Sequence, residues 1–132
     1  MNIAITSEAP DTDALVPLTF KEAKILMIID ADKGEVTHIY RKIDEENIEM
    51  IKKVLEFDCE ALICGPLEKE PFEMLVEQGV TRYNGVGHKV CKAYDYMNRY
   101  KLDWIADYIG GPGASGHSHS GDCECGEDEA EE

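Results

Sequence analysis

The stretch from Ala61 to Asn98, ALICGPLEKEPFEMLVEQGVTRYNGVGHKVCKAYDYMN, sets a short apolar run against a glycine turn and a helix start twice in succession. The first run ends on Gly65 and the second on Asn84-Gly85-Val86-Gly87, and apolar residues at helical spacing follow each turn. Strand, turn and helix repeated in this way require parallel strands joined by crossovers, which commits the chain to an α/β sheet. The pattern also places two helix starts at two strand ends. The first amides of a helix have no internal partner and the peptide dipoles favour negative charge there, so this edge is where a ligand is expected.

The preceding residues supply the rest of the sheet. Asn2 to Thr6 reads as a buried first strand running into Ser7 and Glu8, and Ala9 to Thr19, with two prolines and two aspartates, reads as a loop. Ala23 to Asp30 and Gly34 to Ile39 form the second and third strands, an antiparallel pair closed by the tight turn Ala31-Asp32-Lys33-Gly34. Asp44 is the expected N-cap of a helix through Phe57, with Ile48, Ile51, Val54 and Leu55 on one face. Glu60 to Cys64 is the fourth strand. A helix containing Pro71 to Val76 stops at Gly79, Val80 to Tyr83 is the fifth strand, and a last helix runs from His88 to Tyr100. Leu102 to Ile109 is expected to add one or two apolar turns.

The order β-β-β-α-β-α-β-α, without internal repeats, predicts a five-stranded mixed sheet in the order 3-2-1-4-5 with helices packed on it. Ligands in open α/β sheets favour the crevice at a topological switch, here between strands one and four. That brings Thr6, Ser7, Cys64, Gly65 and the turn from Asn84 to His88 to one edge. The 132 residues suffice for one domain, expected over residues 1–109, with a flexible tail over residues 110–132.

Charge narrows the partners. The formal net charge is −15, and the acids from Gly110 onward, seven of the 28, leave 21 against 13 Lys and Arg before them. Binding to nucleic acid or to an anionic membrane needs clustered cations, so neither partner is expected. No apolar run is long enough to span a bilayer, and the N-terminus lacks a basic, apolar leader, which points to the cytoplasm. Five cysteines in such a compartment do not suggest a disulfide framework and leave metal or redox chemistry open. Nucleophile–base motifs and Walker loops are absent from the sequence.

The opening NIAITS, the hairpin AKILMIIDADKGEV, the segment ALICGPLEKEPFEMLVEQGV and the turn NGVGHKV together resemble the dinitrogenase iron–molybdenum cofactor biosynthesis family, the NifX/NafY-like domains, over roughly residues 2–100. The resemblance implies a ribonuclease H-like α/β fold. It also implies that the protein binds or carries an iron–molybdenum cofactor or a related metal–sulfur cluster, exchanging it with donor or acceptor proteins, and is not an enzyme. In place of the family's Phe-Gly-Arg-Ala-like segment the chain has Phe20-Lys21-Glu22-Ala23. An anionic cluster would lose one fixed cation there and meet a carboxylate. Lys21 can replace part of the arginine's charge but not its planar fork of donors. The acids that a two-metal nuclease would need are missing from the first strand, and the fourth has only Glu60.

Several residues carry candidate chemistry. Gly85, Gly87 and Asn84 offer a turn whose amides, with Lys89 and the His88 imidazole, can hold an anion; alternatively the two glycines only tighten the turn. His88 and Cys91, three apart on the predicted helix, would share a face and could ligate one soft metal with Cys64, or Cys91 could be packed against the sheet. Cys59 is expected in the core. Thr6 and Ser7 can donate hydroxyl hydrogen bonds into the crevice or simply begin the loop. In the tail, His117, His119, Cys123 and Cys125 bring two imidazoles and two thiols within nine residues, a donor set for zinc or another thiophilic divalent metal, with spacing unlike a zinc finger. Two functions of different class follow, a metal–sulfur cluster carrier or a protein–protein interaction module that keeps the fold without the cluster. The oligomeric state is left open.

Overall fold

The computed structural model describes residues 1–111. The tail donors His117, His119, Cys123 and Cys125 lie outside the described residues. Five strands, β1 (Asn2–Ser7), β2 (Ile25–Asp30), β3 (Glu35–Arg41), β4 (Ala61–Cys64) and β5 (Thr81–Asn84), form one mixed sheet in the order β3-β2-β1-β4-β5, the predicted order. β1 pairs antiparallel with β2 and parallel with β4, and β4 pairs parallel with β5. The sheet therefore changes character at β1. The carboxyl ends of β1, β4 and β5 lie along one edge, beside the start of β2, where the Lys24 amide donates to the Ser7 carbonyl at 3.2 Å.

Alternation along the strands divides the core between the two faces. Ala4, Leu26, Ile28 and Leu62 pack with Met50 and Ile51 of α1 (Ile48–Glu56), and Phe72 and Leu75 of α2 (Lys69–Glu77) cover the same face. Ile3, Ile5, Met27 and Ile63 face the other way against Val90 and Ala93 of α3 (Val90–Asn98). Between strands joined on both sides, β1 and β2 are buried almost throughout, as expected of a sheet covered on both faces.

Local chemistry moves several boundaries. α1 begins at Ile48 instead of near Asp44, because Asn47 takes the left-handed conformation at φ 60°. The Asp44 carboxylate still caps the helix, accepting from the amides of Ile48 and Glu49 at 2.8 and 3.0 Å. Gly79 ends α2 at φ 74°, as the sequence predicts. α3 starts at Val90, so His88 precedes the helix. Leu102 to Ile109 is not helical: the amide of Asn84 donates to the Asp103 carbonyl and that of Ile105 to the Arg82 carbonyl, both at 2.8 Å, sealing the free edge of β5. At the other edge, β3 is bulged where Thr37 is the extra residue between the pairs Ile28↔His38 and Ile29↔Val36. A bulge and end charges of this kind protect an edge strand from pairing with another chain.

Candidate functional site

The predicted edge is assembled, and its groups are more fully engaged than the sequence suggested. Thr6 and Ser7 are completely buried. The Thr6 hydroxyl donates to the Ile63 carbonyl at 3.4 Å, and that of Ser7 to the Ala9 carbonyl at 2.7 Å, so both tie the end of β1 to its neighbours. Cys64 is also fully buried. Burial pushes its thiol well above the ordinary range, with the nearby Arg82 guanidinium acting in the opposite direction. Cys59 lies in the core as expected, its thiol pushed up to about 11 by burial and by the Asp58 carboxylate.

The glycines at this edge permit close packing. A Cβ on Gly65 would lie 2.7 Å from the Leu18 carbonyl oxygen and 2.9 Å from that of Pro17. On Gly85 it would lie 2.5 Å from a methyl of Ile63. Both turns can thus sit directly on the backbone or side chain beneath them.

In the turn itself the amides have partners. Gly85 donates to the Cys64 carbonyl at 3.0 Å, Val86 to the Asn84 side-chain oxygen at 3.0 Å, Gly87 to Val16 at 3.3 Å and His88 to Gly85 at 3.1 Å. The first two amides of α3 are also taken: Val90 donates to the Ala14 carbonyl at 2.9 Å and Cys91 to the Thr12 carbonyl at 3.0 Å. The anion site expected of a bare helix start is therefore filled by the chain's own 12–16 segment. Sequence spacing gave no sign of this, because the partners are some 70 to 80 residues away.

The pairing of His88 and Cys91 on one helix face is corrected by the structure. His88 lies outside α3 and is 5 % exposed, its ring edge-on to Tyr96 with centroids 5.1 Å apart. Cys91 is exposed, and its sulfur lies 4.0 Å from a carboxylate oxygen of Asp13. Cys64, buried, points into the face covered by α1 and α2, whereas Val90 and Ala93 of α3 pack on the opposite face. Among the described residues no group of three or more His, Cys, Asp or Glu side chains is placed to hold a metal ion. With these amides engaged, the accessible thiol at this edge is that of Cys91.

Lys21 is committed elsewhere. Its ammonium pairs with Glu46 at 3.5 Å, and the Phe20–Ala23 turn is clamped by the Asn47 side-chain amide, which donates to the carbonyls of Phe20 and Ala23 at 2.9 and 3.0 Å. Asn47 was not singled out from sequence; an Asn just before a helical run was its only signal. A cleft of about 280 Å³ lies at the opposite ends of the strands, lined by Ile3, Glu60, Thr81, Met97 and Tyr100 among others. It is remote from the switch-point edge.

A five-stranded mixed sheet in this order, with glycine turns and a helix start at its switch-point edge, defines a small α/β domain. The chain belongs to the family described as dinitrogenase iron-molybdenum cofactor, whose model matches residues 1–99. Solved structures share the fold. The apo orange protein from Desulfovibrio gigas superposes with a TM-score of 0.71 at 19 % identity, covering 80 % of this chain and 93 % of that one. A Thermotoga protein provisionally named NifB, of the DUF35 family, gives 0.70 at 22 %, covering 81 % and 95 %. A Methanocaldococcus jannaschii protein provisionally named a dinitrogenase gives 0.59 at 20 %, covering 81 % and 98 %. No curated protein matches the chain. Among the described residues no helix is long and apolar enough to cross a membrane.

Proposed function

We propose that the protein binds and carries an iron–molybdenum cofactor or a related metal–sulfur cluster during its assembly or delivery, without catalysing a reaction. The observation that carries this reading is the family match over residues 1–99, which spans every strand and turn of the switch-point edge. The cluster is cargo, exchanged in the cytoplasm with donor and acceptor proteins. Its anionic surface suits the positive end of the α3 dipole, and the exposed Cys91 thiol is a soft donor at the same place. His88, Asn84, Gly85 and Gly87 shape that turn. Thr6, Ser7, Cys64 and Gly65 support it from below, and Lys21 is a neighbour whose charge is shared with Glu46. The tail, with His117, His119, Cys123 and Cys125, is a second place for a thiophilic metal.

Anaerobic reconstitution of the full chain with iron, molybdate and sulfide, followed by metal analysis and optical spectra of the desalted protein, tests the reading. Metal that stays with the chain and survives combined Cys123→Ser and Cys125→Ser substitution belongs to the folded domain. Metal lost with those substitutions belongs to the tail. A chain that stays metal-free overturns the carrier reading, and a His88→Ala variant that loads like the wild type removes His88 from it. One observation favours the second reading, a protein–protein interaction module: the Lys21 ammonium, the partial substitute for the family's arginine, is paired with Glu46.

A further inference from the structure

The cleft of about 280 Å³ at the amino ends of β1, β4 and β5 takes no part in the proposed carrier function. Its floor is apolar and buried, made by Ile3, Ala61 and Met97, and Tyr83 and Tyr100 belong to its walls. The lining includes one acid, Glu60, and no Lys, Arg or His. A cleft of this size suits a small molecule and is too small for a large one.

Tyr100 is held in a backbone conformation that its side chain does not favour. α3 ends in two capping bonds, from the Tyr100 amide to the Met97 carbonyl at 3.0 Å and from the Lys101 amide to the Tyr96 carbonyl at 2.9 Å. This closing turn puts residue 100 in the left-handed region, at φ 61°, where glycine is the low-cost residue. Asn47 and Asp58, the other non-glycine residues with positive φ among those described, have short polar side chains that tolerate it; a tyrosine is strained there. Nor is the strain offset by packing, since Tyr100 is 89 % exposed. The turn needs only a residue that can close it, so what a tyrosine adds at this position is an aromatic ring at the cleft.

The cleft is negative on two counts. α3 ends beside it, and the last turn of the helix has no basic residue to meet the negative end of its dipole. Glu60 has no ion-pair partner among the described residues. The neighbouring cations are engaged or outside the lining: Arg99 is drawn to Asp95 at 3.2 Å, the Met1 ammonium to Asp32 at 3.3 Å, and Lys101 does not line the cleft. An apolar floor, aromatic walls and uncompensated negative charge are together the features that bind an ammonium ion with alkyl substituents.

We propose that this cleft is a binding site for a small organic ammonium ion, with Tyr83 and Tyr100 offering ring faces to its alkyl groups and Glu60 opposing its charge. The site lies at the far end of the strands from the switch-point edge and is independent of the carrier function.

Titration of the isotope-labelled full-length protein with choline, followed by backbone amide shifts, tests the site. The control is the uncharged carbon analogue of choline, in which a tert-butyl group replaces the trimethylammonium. Choline is expected to shift the Ile3, Ala61 and Thr81 amides saturably, to leave Gly85 and Cys91 unmoved, and to bind roughly tenfold tighter than the analogue. Glu60→Gln is expected to weaken choline roughly two- to fivefold. Tyr100→Gly is expected to weaken it roughly three- to tenfold while the urea midpoint stays the same or rises, because glycine accepts the left-handed turn. Tyr100→Phe keeps the ring and is expected to bind like the wild type. The absence of a saturable shift, equal binding of choline and its analogue, or a Tyr100→Gly variant that binds choline like the wild type would overturn the site. A lowered urea midpoint in Tyr100→Gly would overturn it too, by making the ring a support of the fold. Metal uptake plays no part in these readouts, so the result stands apart from that of the reconstitution.

Discussion

At the scale of single residues, the three cysteines within the described structure differ sharply in environment. Cys91 is exposed, whereas Cys59 and Cys64 are buried and their thiols are held above the ordinary range. Since the thiolate is the nucleophile, a burial-raised thiol reacts slowly even when reagent can enter. Iodoacetamide at pH 8 followed by peptide mass spectrometry is expected to label Cys91 in the native protein and to label Cys59 and Cys64 only after unfolding. Native labelling of Cys64 would mean that the sheet face under α2 opens. Glycine at position 85 is similarly constrained. Gly85→Ala must push aside the Ile63 side chain, which is fully buried between β1 and β5, and is expected to cost about 1–3 kcal/mol in urea unfolding.

At the scale of elements, the cap of α1 links a local carboxylate to stability. Burial opposes ionisation of Asp44, but hydrogen bonds from the Glu49 and Ile48 amides and the Lys42 charge outweigh it and hold the carboxyl below its usual value. A folded-state pKa below the unfolded one stabilises the protein above the unfolded value of about 3.9 and loses that contribution as pH falls through the lower folded value. Asp44→Ala is therefore expected to cost about 1 kcal/mol at pH 7, and the difference from wild type should shrink below pH 4. Chemical denaturation at both pH values checks this. The cap was legible in sequence because its partners lie four and five residues away. The start of the helix was not, because Asn47 uses its left-handed conformation and side chain to clamp the Phe20–Ala23 turn, a contact more than 20 residues distant. The same limit separates what was seen of the edge from what was missed. Strand order follows from element order and crossover rules, so Thr6, Cys64 and Asn84 were correctly brought together. The covering of α3 by Thr12 and Ala14 is a backbone contact between distant segments and has no pattern in residue type.

At the scale of the whole molecule, the segment after α3 joins the two layers. The family match ends at residue 99, yet Leu102 packs into the face covered by α3 and Ile105 into the face covered by α1 and α2. Between them Asp103 and Ile105 hold the edge of β5, and the Ile109 amide donates to the Leu67 carbonyl at 2.8 Å. The sequence showed these residues as apolar but suggested another helical turn; an extended strap satisfies the Asn84 amide and the Arg82 carbonyl on the free edge of β5, which a helix could not. Ending the chain after Tyr100 would remove two core side chains, each worth about 1.5–3 kcal/mol, and unpair the edge of β5. A loss of about 3–6 kcal/mol is a large part of the ~5–15 kcal/mol that a domain of this size has. Ending it after Gly111 removes the tail's unbalanced acids and none of these contacts, so the urea midpoint should stay the same or rise slightly at low salt as self-repulsion falls. A chain ending after Tyr100 that unfolds at the wild-type midpoint would show that the domain closes without this strap. One ending after Gly111 that is markedly destabilised would place part of the fold's support in the tail.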